Sequence, residues 1–190
     1  MLREGGNTIE FLLPGAHNRI STTRMILATH ALGGTAAALL FRSNPVLAFF
    51  AAFFSHFALD AIPHWDYPVR SLERSFQTGQ PIRKLDSVLM GDMVRTGFDL
   101  LVGAVLSFLF AAPDGTSAII TVGLGIIGGV LPDFLQLIYY ILKAGPILQL
   151  QKFHIWIHAR DRRLKKLPVI GVTIQVAIAA ILGWIILLLR

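Results

Sequence analysis

The sequence predicts an all-α, polytopic membrane protein, and three observations predict it. Only 15% of the 190 residues are charged while 54% are apolar, against roughly a quarter charged in soluble domains. The mean hydropathy is +0.64, and the apolar residues gather into five long runs with short connections between them, leaving no room for a large soluble module.

Residues 1–24 read as a polar, basic tail. Its apolar patch, Phe11–Leu13, is stopped by Pro14 and Gly15 and is too short for a signal-peptide core, so the tail is expected to be retained. Residues 25–190 are expected to form a single membrane-embedded helical domain, with about five spans at Met25–Phe41, Pro45–Ile62, Leu89–Ala112, Ser117–Leu142 and Pro168–Leu189. A hydrocarbon core of about 30 Å takes about 20 helical residues. The first run is marginal by that measure and the other four reach or approach it. Between the fourth and fifth runs, Gln151–Lys166 reads as a basic interfacial helix with Phe153, Ile155, Trp156 and Ile157 toward lipid.

The net charge of +6 is distributed by side. If the five runs alternate across the bilayer, fourteen Lys and Arg fall on the side of the tail, the 63–88 segment and the 143–167 segment. Two, Arg42 and Arg190, fall on the other, and Arg95 lies within a run. The positive-inside rule then puts the N-terminus in the cytoplasm and the C-terminus outside, in an inner (plasma) membrane. The basic balance reads as topology and attraction to anionic headgroups, not as nucleic-acid binding.

Ionisable groups inside apolar runs cost roughly 2.5–3.5 kcal/mol each at a helix centre and mark function by default. This chain places His30 in the first run, His56 and Asp60 near the end of the second with His64 and Asp66 just beyond, Asp92 and Asp99 in the third, and Asp133 in the fourth. His154 and His158 follow. Nearly all of them fall toward the cytoplasmic ends of their runs, Asp99 being deeper. His56 and Asp60, like His154 and His158, are spaced i, i+4 and stack on one helix face, where they can chelate. Pro63 is expected to end or bend the second helix, so that Ser55–Asp66 delivers four candidate ligands from a helix end and the turn after it. There is no cysteine, so any metal must be held by imidazole and carboxylate, a donor set that suits Zn²⁺, Mn²⁺ or Fe²⁺ as one ion or two.

Structural readings stand beside the functional ones. Asp92, Arg95 and Asp99, at i, i+3 and i+7, also read as a neutralised packing triplet. Asp133, after Pro132, also reads as the first turn of a new helical segment, and His154 and His158 fit the interfacial helix as well as a metal site. Gly33, Gly34, Gly123, Gly125, Gly128 and Gly129 read as close helix-packing positions.

Thr29-His30-Ala31-Leu32-Gly33-Gly34, Ser55-His56-Phe57-Ala58-Leu59-Asp60 and Gly129-Val130-Leu131-Pro132-Asp133 resemble segments of the inner-membrane metal-dependent hydrolases that include the LexA-regulated YdjM-like proteins, a family likened to zinc-dependent phospholipase C. The resemblance covers about residues 29–136 and implies a membrane-bound, metal-dependent hydrolase. In this chain Leu-Pro-Asp follows Ser-His-x-x-Leu-Asp, whereas the family commonly carries it early.

The expected function is hydrolysis of a phosphoester or similar bond in a lipid or lipid-linked substrate at the cytoplasmic face. The expected metal ligands are His30, His56, Asp60, His64 and Asp133, with His154 and His158 as further candidates. Asp66 and Asp92 are expected as base, ligand or partner of a histidine, and Arg70 and Arg74 as holders of an anionic headgroup. The alternative is a small metal-ion or proton transporter lined by the same His and Asp. The outer halves of the runs, such as Leu101–Phe110 and Ile174–Leu189, offer it no polar path.

Overall fold

The computed structural model describes residues 24–62, 64, 67–157 and 168–190. Seven helices occur among them: α1 (Leu27–Leu39), α2 (Pro45–Asp60), α3 (Arg70–Thr78), α4 (Ser87–Ala111), α5 (Gly115–Leu142), α6 (Gly145–Ile157) and α7 (Pro168–Leu189). A two-residue antiparallel pairing joins Arg24–Met25 (β1) to Tyr67–Pro68 (β2). The protein is all-α, as the apolar runs predict.

Three helices, not five, are long and apolar enough to cross a membrane: α4, α5 and α7. The first two runs fold instead as a hairpin of 13- and 16-residue helices. At 1.5 Å per residue these reach roughly 20 and 24 Å, short of a core of about 30 Å. The reason for their apolar character is also different. α1 is enclosed by α2, α4, α5 and α7, and Ala31, Leu32 and Ala38 are fully buried, so its hydrophobicity serves helix packing. α2 buries Ala48, Ala52, His56, Phe57 and Asp60 and turns Val46, Leu47, Phe50 and Phe54 outward.

Local signals account for the helix ends. Asn44 accepts from the backbone N–H groups of Val46 and Leu47, with Pro45 in the first turn, to start α2. Asp86 accepts from the N–H of Leu89 to start α4; that bond, and a second from the Arg74 guanidinium, lower its carboxyl below the usual range. The turn from α4 to α5 uses left-handed backbone at Ala112 and Gly115.

Helix α1 has no capping side chain of its own at Ile26. Asp99, from the middle of α4, accepts from the N–H of Leu27 at 2.6 Å and so caps α1 across the bundle. Its Oδ2 also accepts from the Tyr67 hydroxyl at 3.1 Å. Burial and the facing Asp99 carboxylate push the Tyr67 phenol up, which keeps that donor protonated. The triplet on α4 is therefore shared among different segments: Asp92 accepts from the N–H of Ser71 at 2.7 Å and Arg95 donates to the Pro68 carbonyl.

Glycines decide how closely α1 and α5 approach. They run antiparallel, and a Cβ on Gly34 would fall on the Gly125 carbonyl, one on Gly129 on the His30 carbonyl. Gly128 lies against Ala52 and the Phe49 carbonyl of α2 in the same way. Toward the α1–α2 loop the core is filled by Leu32, Leu39, Ala111, Val122 and Ile186. At the opposite end Val69 and Leu72 pack against Tyr139 and Tyr140 of α5.

Candidate metal centre

The polar residues that interrupt the apolar runs converge from four helices. α1 supplies His30, α2 supplies His56 and Asp60, α5 supplies Asp133, and α6 supplies His154; all five are buried. His154 Nε2 lies 2.8 Å and His56 Nε2 3.2 Å from Asp60 Oδ2, and each lies 3.7 Å from Asp133 Oδ1. The two Nε2 atoms face each other at 3.3 Å. His30 Nε2 is 3.4 Å from Asp60 Oδ1, and its ring stacks on that of His56 with centroids 4.1 Å apart.

One bond fixes the chemistry of this arrangement. His56 Nδ1 lies 2.8 Å from the Gly129 carbonyl oxygen. A carbonyl only accepts, so Nδ1 carries the hydrogen and Nε2 of the neutral ring presents its lone pair to the cluster. Pro132 sits inside α5 without ending it; it lacks the N–H that would bond the carbonyl of Gly128, the residue just before the one that meets His56. Asp133 thus lies within a continuous helix and does not open a new one.

The donor set fits a metal ion. Two overlapping groups, His30/His56/Asp133 and His56/Asp60/His154, each bring their ligand atoms within 4.8 Å of one another. Four ligands at about 2.0–2.1 Å around a tetrahedral zinc stand about 3.3–3.4 Å apart, and the separations here run from 2.8 to 3.7 Å. Two carboxylates buried this deeply require compensating positive charge. The centre lies roughly 20–27 Å along α5 from Gly115, counting 1.5 Å per residue to Gly129 and Asp133.

The remaining expected site residues are placed as follows. His64 stands beside the cluster, its ring 6.4 Å from that of His30, with Nδ1 donating to the Ile62 carbonyl at 2.6 Å. Asp92 is buried and accepts from the Ser71 N–H on α3, and it is not part of either converging ligand group. Arg74 pairs with Asp86 at 2.7 Å on the exposed surface, and Arg70 is exposed at the start of α3. Asp66 and His158 lie outside the described residues. Of the expected interfacial helix over Gln151–Lys166, residues 151–157 form the end of α6 and 158–166 lie outside the described residues; the inward face of α6 bears Gln151 and His154, and His154 reaches the cluster. Two parts of the site carried no sequence signal beyond packing: the Gly129 carbonyl, read only as a close-approach glycine, and Asp99 as a cap in trans.

Fold and site together define a helical membrane protein with a buried His/Asp group able to hold a metal. No protein-family model, no curated protein and no solved structure matches the chain.

Proposed function

We propose that this protein is a membrane-bound, metal-dependent hydrolase that cleaves a phosphoester or similar bond of a lipid or lipid-linked substrate. The observation that carries the reading is the convergence of three imidazole nitrogens and two carboxylates in one buried pocket, with His56 oriented by a backbone carbonyl. His30, His56, Asp60, Asp133 and His154 are the residues that would hold the ion, with zinc the first candidate and Mn²⁺ or Fe²⁺ the others. A divalent ion bound there supplies a Lewis acid for the scissile oxygen and a water acidic near neutral pH.

The protein's own groups do the rest. The Gly129 carbonyl keeps the His56 lone pair aimed into the cluster. Asp133 also lines a neighbouring apolar cavity, and a carboxylate that the ion leaves unligated would take the proton from water. α6 covers the site through His154 and excludes bulk water. Arg70, exposed at the start of α3, is available to an anionic headgroup. Chemistry is favoured over passage because, on the side of the α1–α2 loop, Gly34 against Gly125 and Gly129 against His30 bring backbones into contact, leaving no lane for an ion between α1 and α5.

The test is elemental analysis of the detergent-purified protein joined to hydrolysis of a phospholipid panel. The expected result is one or two equivalents of a transition metal, and hydrolysis that a chelator abolishes and added metal restores. Metal-dependent ion flux in proteoliposomes with no hydrolysis of any ester would replace this reading with that of a transporter.

A further inference from the structure

A cavity of about 240 Å³ lies between α3, α4 and α5; its lining includes Asp133 but no histidine. Its walls are mostly apolar, Leu27, Leu100, Val130 and Leu137 among them, with buried Asp92, Asp133 and Ser71 as polar lining residues. The size exceeds the roughly 150 Å³ of an apolar cavity that stays dry and takes up benzene.

Three features identify what fits. The outer edge of the cavity is formed by Met93, Gly97 and Phe134, which are exposed on two helices long and apolar enough to cross a membrane. The outward faces of helices that cross a bilayer meet hydrocarbon, so a mouth between α4 and α5 would open onto lipid tails. Ser71 is buried, and its hydroxyl finds no hydrogen-bond partner among the described residues, which leaves a donor in the cavity lining for an ester carbonyl. Asp133 belongs both to the cavity wall and to the candidate metal group.

From this we infer that the cavity binds one hydrocarbon chain of a membrane lipid, entering sideways between α4 and α5, and holds the ester end of that lipid at Asp133. The inference deepens the hydrolase reading by giving the substrate class as an acyl lipid presented from within the bilayer. Chain occupancy itself requires neither metal nor turnover.

Gly97 provides the means of testing it. A Cβ there would meet nothing within 4 Å, so Gly97→Phe starts without a backbone clash and adds bulk at a residue that lines the cavity. The full-length protein is reconstituted in vesicles containing a phosphatidylglycerol with a photoactivatable diazirine in one acyl chain. It is irradiated and the labelled residues are mapped by mass spectrometry. Labelling is expected to concentrate at Leu100, Val130 and Leu137, and to fall at least fivefold in Gly97→Phe while the metal content and thermal transition of that variant match those of the parent. Labels spread over outward-facing Val94, Phe98 and Leu109 without enrichment in the cavity would overturn the inference, as would cavity labelling unchanged by Gly97→Phe. Absence of hydrolysis, with cavity labelling intact, would count against the hydrolase reading and not against the chain site.

Discussion

His56 donates through Nδ1 to the carbonyl oxygen of Gly129 over 2.8 Å, so a single backbone group on α5 sets the tautomer of an imidazole on α2. The same glycine lets α1 approach, because any side chain there would strike the His30 carbonyl. Packing and ligand orientation meet at one residue.

Gly129→Ala is therefore expected to damage both. Overpacking of this kind typically costs about 1–3 kcal/mol, and the displaced carbonyl would release His56. Gly123 on the same helix has nothing within 4 Å of a Cβ, and Gly123→Ala should instead gain about 0.5–1 kcal/mol of helix stability. Thermal scans in detergent with metal content measured alongside give the comparison; equal behaviour of the two variants would refute the close α1–α5 contact.

Asp60 touches three imidazoles. Asp60→Asn keeps the shape but removes the negative charge, and metal affinity should fall by more than about tenfold, since even partners that only orient a ligand are worth 10–100-fold. Asp92→Asn is the matched control, because Asp92 is engaged by Ser71. Metal titration of the two variants decides, and stoichiometric retention in Asp60→Asn would remove that residue from the ligand set.

Asp99 and Tyr67 should act on stability and not on metal chemistry. Loss of the bond from the Leu27 N–H in Asp99→Ala leaves the start of α1 uncapped, at a cost of about 1–3 kcal/mol, whereas Tyr67→Phe forfeits a bond worth about 0.5–1.5 kcal/mol. Both variants should bind metal as the parent does at low temperature. A Tyr67→Phe protein less stable than Asp99→Ala would mean that the cap is not the dominant interaction.

An α1–α2 hairpin that does not cross would return to the side it left, so three spans at α4, α5 and α7 keep the expected sharing of one face by the tail, the 63–88 and the 143–167 segments. A topology reporter at Gly79, the left-handed residue that ends α3, is expected to read cytoplasmic and one after Arg190 extracytoplasmic, from the unequal distribution of Lys and Arg. The reverse pair of readings would invert the orientation, and reporters on the same side would take one of α4, α5 and α7 out of the bilayer.

The sequence by itself determined the class of protein and most of the chemistry. Long apolar runs over 89–112, 117–142 and 168–189 mark helices because lipid leaves the backbone no other partner, and the structure places α4, α5 and α7 within two residues of those bounds. His30, His56, Asp60 and Asp133 stood out because ionisable groups in such runs are costly. Tertiary structure alone decided how those parts are used. An apolar run reads the same whether lipid or other helices surround it, so only the packing shows that α1 is enclosed and that the α1–α2 hairpin is too short to span. Helix periodicity gives the face of His154 but not its neighbours, so only the fold of α6 back over α2 and α5 brings it to Asp60. The engagement of Asp92 by Ser71, and the cap that Asp99 lends to α1, are contacts between residues 21 and 72 positions apart, a range over which no local pattern carries information.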